Sequence, residues 1–164
     1  MNLSEAEQVQ FNKMDYQLLK ELRQETQVSF SLCKKALEES GNDKKKALEL
    51  LKEWGIKKAA GKSDRATNAG GVYSYIHHNN LIGAIVELQT ETDFVSGNAD
   101  FKKLGAEVAM QAASIRAKNV EELLKQNSIR EPSKTIDDMI KEAILKFGEN
   151  IVISRFQRFE VGTE

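Results

Sequence analysis

The hydrophobic period changes once along this chain, and that change limits the folds open to it. Between Asp15 and Gly55 the large apolar residues recur every three or four positions, the spacing of one face of a helix. From Gly71 onward, in GVYSYIHH and again in LIGAIVELQTE, they fall on every second position, as a strand with one buried face requires. Between the two lies KKAAGKSDRATNAGG, residues 57–71, with few large apolar side chains and many small or charged ones. Such a chain is expected to build a helical unit first, then a connector, then a unit containing a sheet.

The helical part divides into three short helices. DYQLLKELRQET sets Leu18, Leu19 and Leu22 on one face behind Asp15 as a cap. SFSLCKKALEESG carries Cys33, Ala36 and Leu37 on one stripe, with Gly41 as a stop signal. NDKKKALELLKEWG gathers Ala47, Leu50, Leu51 and Trp54, with Asn42 or Asp43 as cap and Gly55 as the stop. Each helix is too short to persist alone in water, so the three must enclose a common core, with Trp54 its largest member.

In the second part Val72, Ser74 and Ile76 share one strand face, while Tyr73, Tyr75 and His77 share the other. HHNN supplies turn chemistry, because Asn tolerates the left-handed conformation of tight hairpins. The returning strand places Ile82, Ala84, Val86 and Leu88 together. After the connection TETDFVSGN comes a helix capped by Asn98 or Asp100, with the stripe Phe101, Leu104, Val108, Ala112 and Ile115. VEELLKQ, the only proline at Pro132, and the amphipathic TIDDMIKEAILKFG precede a closing strand in NIVISRFQRFEV. The fold class is α+β: a three-helix bundle over 14–55, a linker over 56–70, and over 71–164 a core with a three-stranded antiparallel sheet packed by helices. Residues 1–13 form an N-terminal extension.

Composition narrows the function classes. With 40% hydrophobic residues a real core is available, and no apolar run approaches membrane-spanning length. A net charge of -1 does not suggest a strongly basic nucleic-acid binder. MNLSEAEQVQFNK has neither the basic start nor the apolar run of a signal peptide, and one cysteine makes no internal disulfide, so a cytoplasmic setting is expected. Locally, residues 44–65 hold eight basic side chains against three acidic ones, which suits a solvated connector.

No constellation of an enzyme emerges. GIKKAAGKS, from Gly55 to Ser63, imitates a phosphate-binding loop, but five residues separate its glycines where the motif has four, and it follows a helix instead of a strand. His77 and His78 sit at a turn and, as strand neighbours, would point to opposite faces. Cys33 lies on an apolar stripe, as a small buried hydrophobe does. Glu91 and Asp93 are too few oxygens for a hard-cation loop, and Phe94 and Val95 dilute them. Phe94 itself is the unexplained residue. Taken alone, it either fills the core beneath its own loop or is held out for another protein.

Three stretches lift this ambiguity. LRQETQVSFSLCKKALEESGND resembles the amino-terminal signature of translation elongation factor Ts, TDFVSGN resembles that family's diagnostic Thr-Asp-Phe-Val motif, and GENIVISRFQRFEVG, 148–162, is similar to its closing strand. They stand in the expected order and span most of the chain. The resemblance implies a ubiquitin-associated-like helical domain followed by the α+β core. It implies a protein that is not an enzyme of covalent chemistry and needs no cofactor, but binds the GTPase elongation factor Tu in the cytoplasm and promotes release of its GDP. By the same resemblance Thr92, Asp93, Phe94 and Val95 form the loop that disturbs the magnesium site, with Phe94 as wedge and Asp93 as the polar group beside it. Arg23, Phe30 and Ser31 match positions of the helical domain that contact the GTPase. Ser31 departs from the methionine common there, and Gln27 replaces a glycine, at a cost of roughly 1 kcal/mol if the backbone needs a positive φ. The duplicated core and coiled-coil excursion of long relatives do not appear, so the chain looks like a short form. Such a form, with open sheet edges, is expected to pair as a homodimer. No membrane and no direct nucleic-acid partner are implied. The alternative from the residues is a ribosome- or RNA-associated module using the basic 44–65 stretch, whose binding would fall steeply with salt.

Overall fold

The computed structural model describes residues 14–163; the extension at 1–13 lies outside the described residues. The chain divides into two compact units that meet between Lys58 and Ala59.

The first unit holds α1 (Tyr16–Thr26), α2 (Phe30–Ser40) and most of α3 (Lys44–Ala60). Asp15 caps α1, its carboxylate accepting from the amides of Gln17 and Leu18. Asp43, not Asn42, caps α3 through the amides of Lys45 and Lys46. Leu19, Leu22, Val28, Cys33, Ala36, Leu37, Ala47 and Leu51 are buried together. Trp54 is only half-buried, with the Lys35 ammonium 5.0 Å above its ring, so it borders the core and does not fill it. Gln27 ends α1 with φ 56°, in the left-handed region, and its amide donates to the Arg23 carbonyl. The helical signature therefore needs the positive φ, and this chain meets it with a side chain that strains to adopt it.

The expected stop at Gly55 is overrun. α3 continues to Ala60, with Gly55 buried inside it, because Ile56-Lys57-Lys58-Ala59-Ala60 are all tolerable helix formers and no second breaker comes before Gly61. Secondary structure also enters the stretch 56–70 from the other end, where β1 begins at Ala69. Between them Thr67 Oγ1 donates to Gln89 Oε1 at 3.1 Å.

The second unit is a three-stranded antiparallel sheet in the order β1 (Ala69–Ile76), β2 (Ile82–Thr90), β3 (Ile151–Glu160). β1 and β2 join through a turn at His77–Asn80, where Asn80 has φ 58°. Because β1 ends at Ile76, the two histidines lie in the turn, and their rings sit 4.2 Å apart instead of on opposite faces. One face of the sheet is covered by α5 (Ala99–Ser114) and α7 (Ile136–Phe147), with α6 (Val120–Lys125) alongside. Ala84, Val86, Leu88, Phe101, Val108, Ala112, Ile140, Ile144, Ile151 and Ile153 form this core. Tyr73 meets Phe101 edge-on, and Gly105 lets α5 approach it: a Cβ there would lie 2.2 Å from the Tyr73 ring. β3 bulges opposite Glu87 and Leu88, leaving Ser154 and Arg155 both exposed. Downstream of that bulge the faces exchange, so Phe156 packs on the core while Phe159 joins Val72, Ile76 and Ile85 on the opposite, exposed face.

Candidate functional site

β2 delivers the chain to the connection at 91–98, which the sequence leaves as a loop. It contains a further one-turn helix, α4 (Asp93–Ser96), directly before α5. Four residues cannot hold a helix by themselves, so the turn must be fixed from outside. On its inner side Val95 is 9% exposed and joins the core of the second unit. On its far side the Gly97 amide donates to the Asp93 carbonyl at 2.8 Å, and Asn98 caps α5 by accepting from the Asp100 amide. On its near side Thr92 is extended, at φ -128° and ψ 159°, and its hydroxyl makes no cap bond to α4.

That hydroxyl is engaged elsewhere. Thr92 Oγ1 donates to Glu149 Oε1 at 2.6 Å, while the Thr92 amide and Thr90 Oγ1 donate to Glu149 Oε2 at 3.0 and 2.8 Å. Glu149 comes from the turn between α7 and β3. Burial alone would raise its carboxyl, but the bonds from Thr92 and Thr90 and from the backbone of Thr92 and Glu91 outweigh it and hold the group below the usual glutamate range. The exchange is reciprocal, since the Asn150 amide donates to Glu91 Oε1 at 2.6 Å. Arg65 sits 3.5 Å from the same Glu91 oxygen, and its carbonyl accepts from Asn150 Nδ2.

The four residues of the motif thus divide by direction. Thr92 and Val95 face the body of the unit, while Asp93 and Phe94 face out. Phe94 is 89% exposed, the most exposed of the large apolar side chains described. It does not fill the core beneath its loop. What stands at this site is a convex, apolar point beside a carboxylate, on a turn tied down on three sides. An exposed aromatic of this kind is able to bury its area against another surface. Among the described residues no group of three or more His, Cys, Asp or Glu side chains is arranged to hold a metal, and no helix is long and apolar enough to cross a membrane.

In the first unit Arg23 and Phe30 line one groove of about 400 Å³ together with Tyr16, Leu19, Lys20, Gln24 and Gln27. Phe30 opens α2 half exposed, and Tyr16 is 72% exposed. Ser31 is exposed as well, with its hydroxyl 3.2 Å from that of Ser29. Sequence reasoning missed Tyr16, whose position at the first turn of α1, off the buried stripe, was the available signal. It missed Glu149 too, because nothing local announces a contact across 57 residues.

The family model described as Elongation factor TS matches residues 91–164, beginning at this connection. Elongation factor Ts of Leptospira biflexa (strain Patoc 1 / Ames) is 37% identical over 189 aligned positions, covering 88% of this chain and 96% of the relative. That of Thermosipho melanesiensis is 36% identical over 190 positions, covering 88% of this chain and 97% of the relative. Both alignments run longer than the 164 residues here, so those two relatives carry residues that this chain lacks. Elongation factor Ts of Clostridium kluyveri is 42% identical over 145 positions, covering 88% of this chain but 47% of the longer relative. With its motifs in order and its likeness spanning nearly the whole of the short relatives, the chain belongs to the elongation factor Ts family of translation elongation factors.

Proposed function

We propose that this chain is the guanine nucleotide exchange factor of elongation factor Tu: it binds the GDP-bound GTPase, disturbs its magnesium site and promotes release of GDP so that GTP can enter. Phe94 is the observation that carries this reading. A rigidly mounted aromatic at 89% exposure is poised to bury its area in a pocket that exists only when the nucleotide-binding elements have separated. Whatever binds that open arrangement more tightly lowers nucleotide affinity by the same factor, because the two equilibria are linked. Asp93 beside the wedge brings a negative charge toward the magnesium site. In the helical unit, which we read as ubiquitin-associated-like, Arg23 and Phe30 add affinity through the groove that Tyr16 also lines, and Ser31 adds to it from the exposed start of α2. Nothing covalent is required, and the chain acts without a cofactor in the cytoplasm.

Two copies pair through the sheet face left open in the second unit. Val72, Ile76 and Phe159 are exposed there, and the long relatives have additional chain with which to cover such a face.

Linkage gives the test of the exchange reading. The affinity of this protein for elongation factor Tu is measured with GDP and magnesium present, then with nucleotide removed. Exchange requires that the nucleotide-free GTPase bind far more tightly, by the factor that the protein weakens GDP. Equal affinities in the two states would end the proposal.

A further inference from the structure

We propose that Glu149 is the positioning residue of the exchange reaction: through Thr90 and Thr92 it fixes the one-turn helix that presents Phe94. This inference rests on the exchange reading above and adds to it a residue outside the Thr-Asp-Phe-Val motif.

The geometry supports a positioning role on three counts. First, α4 is short of helix-forming bonds and has no side-chain cap at its own N-terminus. An isolated turn of this length would populate many conformations, and Phe94 would point outward in only a fraction of them. Second, both Glu149 oxygens are committed to the segment that leads into α4: Oε1 to Thr92 Oγ1, Oε2 to the Thr92 amide and Thr90 Oγ1, with the Glu91 backbone close enough to add to them. A charged acceptor holding three donors makes shorter and stronger bonds than a neutral one. Third, Glu91 returns the contact by accepting from the Asn150 amide at 2.6 Å, so two connections 59 residues apart hold one another at two neighbouring points. Two such points fix an angle as well as a distance, and the direction of the wedge is what an angle sets.

The carboxyl is kept ionised by these same bonds, against its partial burial. Ionised, it accepts at both oxygens at once. Glutamine is close to isosteric: its carbonyl can replace Oε2, which carries two of the three bonds, and its amide nitrogen can donate to the Thr92 hydroxyl at the Oε1 place. Alanine removes both acceptor oxygens, and with them all three of these bonds, and leaves the Thr92 amide without its partner.

Preorganisation has a kinetic signature. Docking draws on the contacts of both units, whereas the wedge acts after docking, so a loosened wedge lowers the release rate at saturation more than it raises the half-saturating concentration. The experiment follows release of fluorescently labelled GDP from elongation factor Tu at varied concentrations of wild type, Glu149→Ala, Glu149→Gln, Phe94→Ala and the Glu149→Ala/Phe94→Ala pair. Circular dichroism checks folding of each at the assay temperature.

We expect Glu149→Ala to lower the saturating rate by about tenfold, with the half-saturating concentration changed less than about twofold. Glu149→Gln should retain most of the rate. In the Phe94→Ala background Glu149→Ala should cost nothing further, since a residue that acts only by aiming Phe94 has nothing left to aim. Three results would overturn the assignment: a normal saturating rate for folded Glu149→Ala, a loss that persists undiminished in the Phe94→Ala background, or a loss accounted for entirely by the unfolded fraction. Failure of the underlying exchange reading looks different, because wild type itself would then leave GDP release unchanged.

Discussion

Phe94→Ala separates the two roles a loop aromatic can have, because they predict opposite ratios of lost stability to lost activity. A Phe side chain contributes roughly 200 Å² when fully buried. At 89% exposure only about a tenth of that area is already removed from water in the free protein. At ~25 cal/mol per Å² the truncation therefore costs ~0.5 kcal/mol of stability, a fall of a few degrees at most in the melting temperature. Alanine's better helix propensity in α4 reduces the cost further. In the complex the remaining area is at stake, and a central aromatic anchor is commonly worth ~2 kcal/mol or more. At ~1.4 kcal/mol per factor of ten, release of GDP should slow by about thirtyfold or more. Thermal melting by circular dichroism and release of labelled GDP are run on the same preparation. The reasoning is refuted if the variant loses the ~3–5 kcal/mol typical of a buried Phe while its folded fraction exchanges normally.

Gln27→Gly should raise the stability of the helical unit by about 1 kcal/mol, because Gln27 holds φ 56° and glycine adopts that conformation without strain; an unchanged or lower denaturant midpoint would contradict this. Gly105→Ala should destabilise the second unit by about 1–2 kcal/mol, since a Cβ at 2.2 Å from the Tyr73 ring forces overpacking that outweighs the ~1 kcal/mol gained in helix propensity. Acid should erode what Glu149 contributes. Its folded carboxyl lies below the ordinary glutamate range, so its contribution is complete above that range and is lost as pH falls through the folded value. The gap in melting temperature between wild type and Glu149→Ala should therefore narrow in acid, and a gap independent of pH would contradict the assignment of those bonds. Light scattering at tens of micromolar should give the mass of a dimer, and a charge at Ile85 or Phe159 should reduce it to that of a monomer; a monomeric mass for wild type would remove the self-pairing proposal.

How far the sequence spoke for itself depended on how local each signal was. Asp15 was legible as a cap, and Asn98 as one of two candidates beside Asp100, because capping is decided within three residues. The core face of β2 and most of that of α5 followed from their periods, although Ile115, expected on the α5 stripe, lies exposed past the helix end. In β1 the period separated two faces without saying that Tyr73 and Tyr75, and not Val72 and Ile76, turn to the core. Gly55 misled, because a glycine carries a stop signal only when the residues beyond it decline to continue the helix. The bulge in β3 was invisible, since ISRFQRF alternates plausibly in either register and the partner strand decides. α4 has too few residues to show a period at all. At the site, the motif drew attention to Phe94, but its direction depended on Val95 reaching the core and on Glu149 reaching across from the other end of the unit. Those are facts of the tertiary structure, and no window of sequence contains them.

An exchange factor is a catalyst, so it must turn over. Elongation factor Tu loaded with labelled GDP is mixed with excess unlabelled nucleotide and with this protein at well below one equivalent. Release of all the label should be accelerated, each molecule of this protein serving many molecules of the GTPase in turn. Release kinetics that stay unchanged even when this protein is in excess would contradict the exchange reading outright.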